Sequence, residues 1–471
     1  MQRYQVVTQN DIDQIHETSL KILDEIGVVF DYLPAIDILV KGGAKSDGKV
    51  VRFPRKMVEQ ALSTTPSSFT LHARTEKKNV AVNCEASIYA GPNCPPFVVD
   101  AERGRRNGSL EDFNNFAKLH HVLDNLDVQS QIYCEAQDIP EDIRHLEMLY
   151  SSIRYNEKPI MGGTLGYEQS KDCIELAAIA HGGVEEIKKN PIMTSIPCTL
   201  TPLSYDDKMA GAIIAYAEYG QPQLINSLVM AGSTTPVTIA GAIAVQNAEV
   251  LAGIVLAQLV NPGTPIVYSA AGTNTDMSTG SLSIGSPEDA LFSLINGQLC
   301  KHYQIPCRIS GAITDSKTPD AQAGYESMMN LMTAEMAGGN YILHAVGILE
   351  SFNAVSYEKY VIDHEMIGMI KRINQGVTVD EETLAYDIIK EVGPRGAFID
   401  QDHTAEHFRE EIYMPSAITD RANHVNWVAN GELDTQQRAT AMWKRLLEEY
   451  VEPTLPSDVE KDMRKFIEAR S

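Results

Sequence analysis

Five aromatic residues, Tyr89, Phe97, Tyr133, Tyr268 and Phe352, stand at or just beyond short apolar runs, flanked by Asn93, Glu135, Asn274, Asp315, His344 and Glu350. Rings and carboxylates gathered in one place suit a cation with no N–H to donate. Such a quaternary ammonium is held by ring faces and diffuse negative charge, each ring contact contributing roughly 0.5 to 2 kcal/mol. Tyr89, Tyr133 and Phe352 are the expected aromatic walls, with Phe97 and Tyr268 beside them. His344 with Asn93 are the expected partners of a substrate carboxylate, and Asp315 and Glu135 the expected carboxylates facing the ammonium. The set positions a substrate; it contains no covalent catalyst.

The usual constellations are missing. A Schiff-base enzyme needs a desolvated lysine, and none of the apolar runs holds one, since Lys317 falls in a loop. No H-x-H, H-x-x-E-H or clustered Cys/His set supplies three metal ligands, so no metal site is expected. His120 and His121 are helical neighbours, which point about 100° apart and cannot converge on one ion; they are expected at the surface. The segment Gly162-Gly-Thr-Leu-Gly166 has the glycines of a phosphate cradle but no following lysine, and is better read as a strand exit. Seven cysteines form no C-x-x-C pair and read as reduced thiols.

The elements that must position these residues follow one grammar. Short apolar runs at 87–90, 128–133, 159–162, 191–196, 223–228, 265–269, 307–310 and 341–345 alternate with helical patterns at 110–124, 141–156, 168–181, 204–219, 237–260, 286–304, 320–338 and 356–374. Eight strand-then-helix units predict an α/β fold, a (β/α)8 TIM barrel of about 290 residues with its chemistry at the carboxyl ends of the strands. A helix at 10–27, a short strand at 50–54, a helix at 55–62 and a hairpin-like pair at 69–72 and 80–82 predict an N-terminal α+β cap over 1–85. The barrel then takes 86–375. Helices at 381–392, 404–411, 434–449 and 457–469 predict a C-terminal helical extension over 376–471, packed on the barrel through Trp443, Leu446, Leu447 and Tyr450.

Composition sets the remaining bounds. The chain has 471 residues and a formal net charge of −24, which opposes binding to nucleic acid or to an anionic membrane surface. The one run long enough to span a bilayer, 237–260, carries Gln246, Asn247, Glu249 and Gln258, each costly in hydrocarbon. A buried soluble helix is expected there, with Glu249 a structural, ion-paired carboxylate. The polar N-terminus has no apolar signal core, so a cytoplasmic location is expected.

Longer stretches resemble a known family. Ala231-Gly-Ser-Thr-Thr-Pro-Val-Thr-Ile-Ala-Gly241, Asn247-Ala-Glu249, Gln258-Leu-Val-Asn-Pro-Gly263, Asp315-Ser-Lys317 with Asp320-Ala-Gln-Ala-Gly-Tyr-Glu326, and Asp402-His-Thr404 with Phe408-Arg409 are similar to the trimethylamine methyltransferase superfamily. The resemblance implies a (β/α)8 barrel that moves a methyl group from a methylated amine to the Co(I) corrinoid (cobalamin) of a separate partner protein, with no cofactor bound permanently by the chain itself. It also implies a homo-oligomer. The trimethylamine enzymes carry pyrrolysine and this sequence has none, so the resemblance is to the non-pyrrolysine branch, whose substrates are quaternary amines such as glycine betaine, proline betaine and carnitine. The alternatives are a non-catalytic betaine-binding barrel and a trimethylamine-like enzyme without pyrrolysine.

Overall fold

In the computed structural model, which describes residues 4–470, an α/β core carries parallel strands on the inside and helices outside. Gln223–Ala231, Ile266–Asn274, Cys307–Ser310, Tyr341–Leu343 and Ile88–Tyr89 are hydrogen-bonded in that order, each pair parallel. Beyond Ile88–Tyr89, Ala90 bridges Val128 and Gln129 N–H donates to Pro159 O at 2.9 Å. Ile160–Met161 pairs with Met193–Thr194, and Ser195 and Cys198 bridge to Gln223 and Asn226. The core strands are buried on both faces, which is why they read as apolar runs rather than as alternation.

Alternation still decides which side chain faces where. Ile88, Ala90, Val128, Met161, Ile196, Leu224, Val267, Tyr341 and Leu343 form one cluster on the inner face, joined at the amino ends of the strands by Leu71 and Val82 from the hairpin Ser68–Leu71 and Val80–Asn83. The opposite, carboxyl ends are overlain on one side by a small sheet built from Phe97–Asp100, Gly104–Asn107, Ile348–Leu349 and Ala354–Ser356. This sheet has no counterpart in the expected elements.

The long helix Ile239–Val260 is apolar and long enough to cross a membrane, yet 78% of its most apolar window is buried inside the protein. Its polar side chains explain why: Gln246 donates to Ser227 O and Ala271 O, Asn247 to Ser19 Oγ and Tyr303 Oη, and Gln258 to Thr264 O. Among the described residues Glu249 meets no cation. It accepts instead from Thr199, Thr201, Ser227 and the Leu203 amide, which corrects the expected ion pair.

In the C-terminal region, Trp443 packs against Tyr357 with ring centroids 4.6 Å apart and donates to Glu358 Oε1 at 3.0 Å, while Tyr450 Oη donates to Tyr155 O at 2.7 Å. The stripe read from the sequence is therefore a packing stripe against the helices Tyr357–Gln375 and Leu110–Val122.

His120 is a further correction. Its ring is fully buried, bonded through Nδ1 to Tyr360 Oη at 2.8 Å, not at the surface. Burial, helped by the nearby Lys158 ammonium, holds its pKa well below the ordinary value of 6.5. The folded chain keeps the ring neutral where the unfolded chain protonates it, so stability is lost as pH falls below about 6.5. His120→Gln is expected to lose less stability than the native chain between about pH 7 and pH 5, read from paired denaturant titrations.

Candidate active site at the strand exits

The register of the sheet sets the floor of the site. Cys198 lies beside Asn226, Asn226 beside Ser269, Ser269 beside Arg308 and Arg308 beside Tyr341, all on the inner face. Ser269 Oγ donates to Asn226 Oδ1 at 2.8 Å, and Asn226 Nδ2 lies 3.2 Å from Cys198 Sγ. Tyr341 Oη is 3.2 Å from Thr194 Oγ1. Arg308 is only 2% exposed, and its Nε and Nη1 have no hydrogen-bond partner among the described residues. Further toward the carboxyl ends come Ala271, Leu228, Met230 and Ser310, whose hydroxyl is also without a partner.

His344 roofs one side. Its backbone is left-handed, and Nδ1 accepts from the Asn93 N–H at 3.1 Å, which leaves Nε2 as the protonated nitrogen. Burial and the Arg308 charge hold its pKa well below 6.5, so the ring is a neutral donor. Phe352 lies 4.8 Å from it, centroid to centroid. Asn93 Oδ1 is buried without a partner. Cys94 is open to the mouth but walled by protein, and loss of bulk water pushes its thiol up to about 12; burial raises the Cys198 thiol as well. Neither is a thiolate nucleophile at neutral pH.

Of the expected residues, only His344, Asn93 and Phe352 are brought together here. Tyr89 is a correction: Ile88 and Ala90 point inward, so Tyr89 points outward, donating to Glu335 Oε1 at 2.5 Å with the Lys371 ammonium 5.0 Å from its ring. Tyr268 likewise faces the helices, donating to Asn247 Oδ1 at 3.0 Å. Tyr133 is fully buried between Phe113 and His120, with ring centroids 5.2 and 5.6 Å away. Phe97 is already stacked under the chain's own Arg105, 3.6 Å from its centroid, and the same guanidinium pairs with Glu350 at 3.0 Å. Glu135 is held by Arg144 at 2.9 Å, and Asn274 accepts from Ser286 Oγ at 2.8 Å.

Asp315 is a clip and not a free counter-ion. Oδ1 accepts from the Ile284 amide at 3.0 Å and the Ser351 hydroxyl at 2.6 Å, and Oδ2 from the Gly285 amide at 3.0 Å. It thereby joins three strand exits and braces Glu350, Ser351 and Phe352, three consecutive residues with positive φ, each of which stores about 1–3 kcal/mol of backbone strain. Asp315→Ala is expected to cost about 2–4 kcal/mol in denaturant unfolding, from three orphaned donors.

The floor residues Arg308, Cys198, Asn226, Ser269 and Ser310 were not singled out from sequence. One signal was available: Arg308 is the only charged residue in a four-residue run that is otherwise Cys, Ile and Ser, and an arginine is almost never fully buried without a partner.

Comparison with known proteins now becomes decisive. The profile of the trimethylamine methyltransferase (MTTB) family matches residues 1–471. The chain belongs to this family. Among its relatives, the glycine betaine methyltransferase of Desulfitobacterium hafniense (strain Y51) is 45% identical over 468 residues, covering 99% of this chain and 97% of that one. The proline betaine:corrinoid methyltransferase of Eubacterium limosum is 30% identical, covering 98% and 96%. The trimethylamine methyltransferase MttB of Desulfitobacterium hafniense (strain DSM 10664 / DCB-2) is also 30% identical, covering 98% and 93%. The crystal structure of the Methanosarcina barkeri monomethylamine methyltransferase shares the fold, with a TM-score of 0.52 at 10% identity, covering 96% and 90%.

Proposed function

We propose that this chain moves a methyl group from a quaternary amine of the betaine type to the corrinoid of a partner protein, inside a closed (β/α)8 barrel. What carries the reading is the 45% identity, along essentially the whole chain, to a relative named for glycine betaine, against 30% to one named for trimethylamine. Barrel closure is supported by the Ala90–Val128 bridge, the Gln129–Pro159 hydrogen bond and the Ser195–Gln223 bridge, which link neighbours all the way round the strands.

The chemistry suits a neutral mouth. A Co(I) corrinoid supplies the electron pair that takes up the methyl group, and the N–C pair stays with nitrogen, which leaves as a neutral tertiary amine needing no proton. The chain has then to strip water from the cation, fix its orientation and hold one N–CH₃ bond facing outward. Neutral His344 and the protonated thiols of Cys94 and Cys198 line that space without competing for the methyl group. At the rim, Leu165, Leu200, Val237 and Met277 are exposed on four consecutive strand exits, an apolar arc suited to the face of a corrinoid ring. Seven cysteine thiols suit the reducing cytoplasm in which Co(I) persists.

Calorimetry against glycine betaine and dimethylglycine tests the substrate class: the quaternary amine is expected to bind at least about tenfold more tightly, and equal affinity would remove the reading's support. The oligomer belongs to the same proposal. Val377, Val379, Tyr386, Ile399, Met414 and Val425 are large apolar side chains exposed in the C-terminal region, residues suited to burial against a second copy. Sedimentation of Tyr386→Glu/Ile399→Glu is expected to give a smaller particle than the native chain.

A further inference from the structure

We propose that Arg308 is the carboxylate anchor of the substrate site, which restricts the enzyme to quaternary amines that also carry a carboxylate and turns their methyl groups outward. The inference rests on the methyl-transfer reading above.

Arg308 occupies the inner face of Cys307–Ser310, between Ser269 and Tyr341 in the register of its neighbours. Guanidinium groups stay charged in proteins and present a planar fork that matches a carboxylate in a two-point contact. This one is 2% exposed, and among the described residues it forms no ion pair and its Nε and Nη1 have no hydrogen-bond partner. A buried cation left so is unfavourable unless an anion joins it. Among the described residues none does so: the carboxylate within its electrostatic reach, Asp289, is itself buried, with its pKa pushed up to about 8, and forms no hydrogen bond to Arg308. Cys198 and Tyr341 beside it are uncharged at pH 7, because burial raises the pKa of both.

The surroundings have the polarity for a small acid. Ser269 and Asn226 continue the polar floor, Ser310 offers an unpartnered hydroxyl one layer above, and neutral His344 lies close enough for Arg308 to lower its pKa. A zwitterion entering this space meets opposite forces at its two ends. Its carboxylate is drawn to Arg308, while its ammonium is repelled by the same charge and settles toward Leu228, Met230 and Cys94 nearer the opening. One site charge thus sets the direction of the whole molecule, with an N-methyl group left facing the mouth.

The native protein can be tested with two probes. In calorimetric competition against glycine betaine, 3,3-dimethylbutanoate keeps the carboxylate and shape but lacks the positive charge, whereas choline keeps the cation and lacks the carboxylate. The anchor predicts that dimethylbutanoate competes and choline does not; choline binding as tightly as glycine betaine overturns it. In Arg308→Gln, with folding checked by circular dichroism, the Kd for glycine betaine is expected to rise about 100-fold or more, with partial recovery in Arg308→Lys. A folded Arg308→Gln protein with Kd and KM within about threefold of native would also overturn the anchor. The two readings fail separately. Arg308-dependent betaine binding without corrinoid methylation leaves the anchor standing and defeats the reaction, whereas methylation with an unchanged KM in Arg308→Gln defeats the anchor alone.

Discussion

Glu249→Ala is expected to destabilise the protein by about 3–5 kcal/mol, because it removes a buried carboxylate that satisfies four donors at once. Glu249 is fully buried on the helix Ile239–Val260. It accepts from Thr199 Oγ1 at 2.7 Å, Thr201 Oγ1 at 2.9 Å, Ser227 Oγ at 2.6 Å and the Leu203 amide at 2.6 Å. Burial raises its pKa while these hydrogen bonds pull it down. Three of the donors lie in the segment that follows Cys198 and holds Leu200 at the rim. Loss of the carboxylate therefore frees one wall of the mouth as well as lowering stability. Glu249→Gln keeps one acceptor oxygen and is expected to fall between. The shift in denaturant midpoint measures both variants, and a Glu249→Ala loss under about 1 kcal/mol would show that water replaces the carboxylate.

Asp363→Ala is expected to cost a similar 3–5 kcal/mol by a different route, since it strands the buried Lys359 ammonium. The two lie one turn apart on Tyr357–Gln375, with side chains 2% and 0% exposed and Nζ 2.6 Å from Oδ2. Lys359 also donates to Ala312 O at 2.9 Å, and Asp363 accepts from the Gly347 amide at 2.7 Å. The pair thus ties the helix to the exits of two neighbouring strands, on either side of His344. The double variant Lys359→Met/Asp363→Leu leaves no uncompensated charge and is expected to recover most of the stability. Methyl transfer is expected to stay low in it, because the Ala312 and Gly347 contacts remain broken. Equal loss of stability in the single and double variants would contradict this account.

The elements were more legible than the site, for a physical reason. Strand and helix periods are written over many residues, so the helix expected at 237–260 is Ile239–Val260 and the strand expected at 307–310 is Cys307–Ser310. Facing is written in a single residue. In 87–90 both sides of the strand are buried, so nothing in the run tells that Ile88 and Ala90 look inward and Tyr89 outward. The same two-sided burial hid Tyr268. The role of Phe97 is not legible in the sequence, because the hairpin Phe97–Asp100 with Gly104–Asn107 brings Arg105 over its ring, and cross-strand pairing of that kind carries no local period. Arg308 is not legible in the sequence, because what marks it is a missing partner for a buried guanidinium, and burial and partners are written in the fold and not in the run Cys307–Ser310.

Anaerobic mixing of the native chain with glycine betaine and a Co(I) corrinoid protein, followed in the visible spectrum, tests the central claim most directly. The account predicts conversion of Co(I) to the methylated corrinoid with dimethylglycine formed in equal amount, in a reaction that requires both the chain and the quaternary amine. Tight betaine binding with an unchanged Co(I) spectrum, across glycine betaine, proline betaine and carnitine, would contradict it.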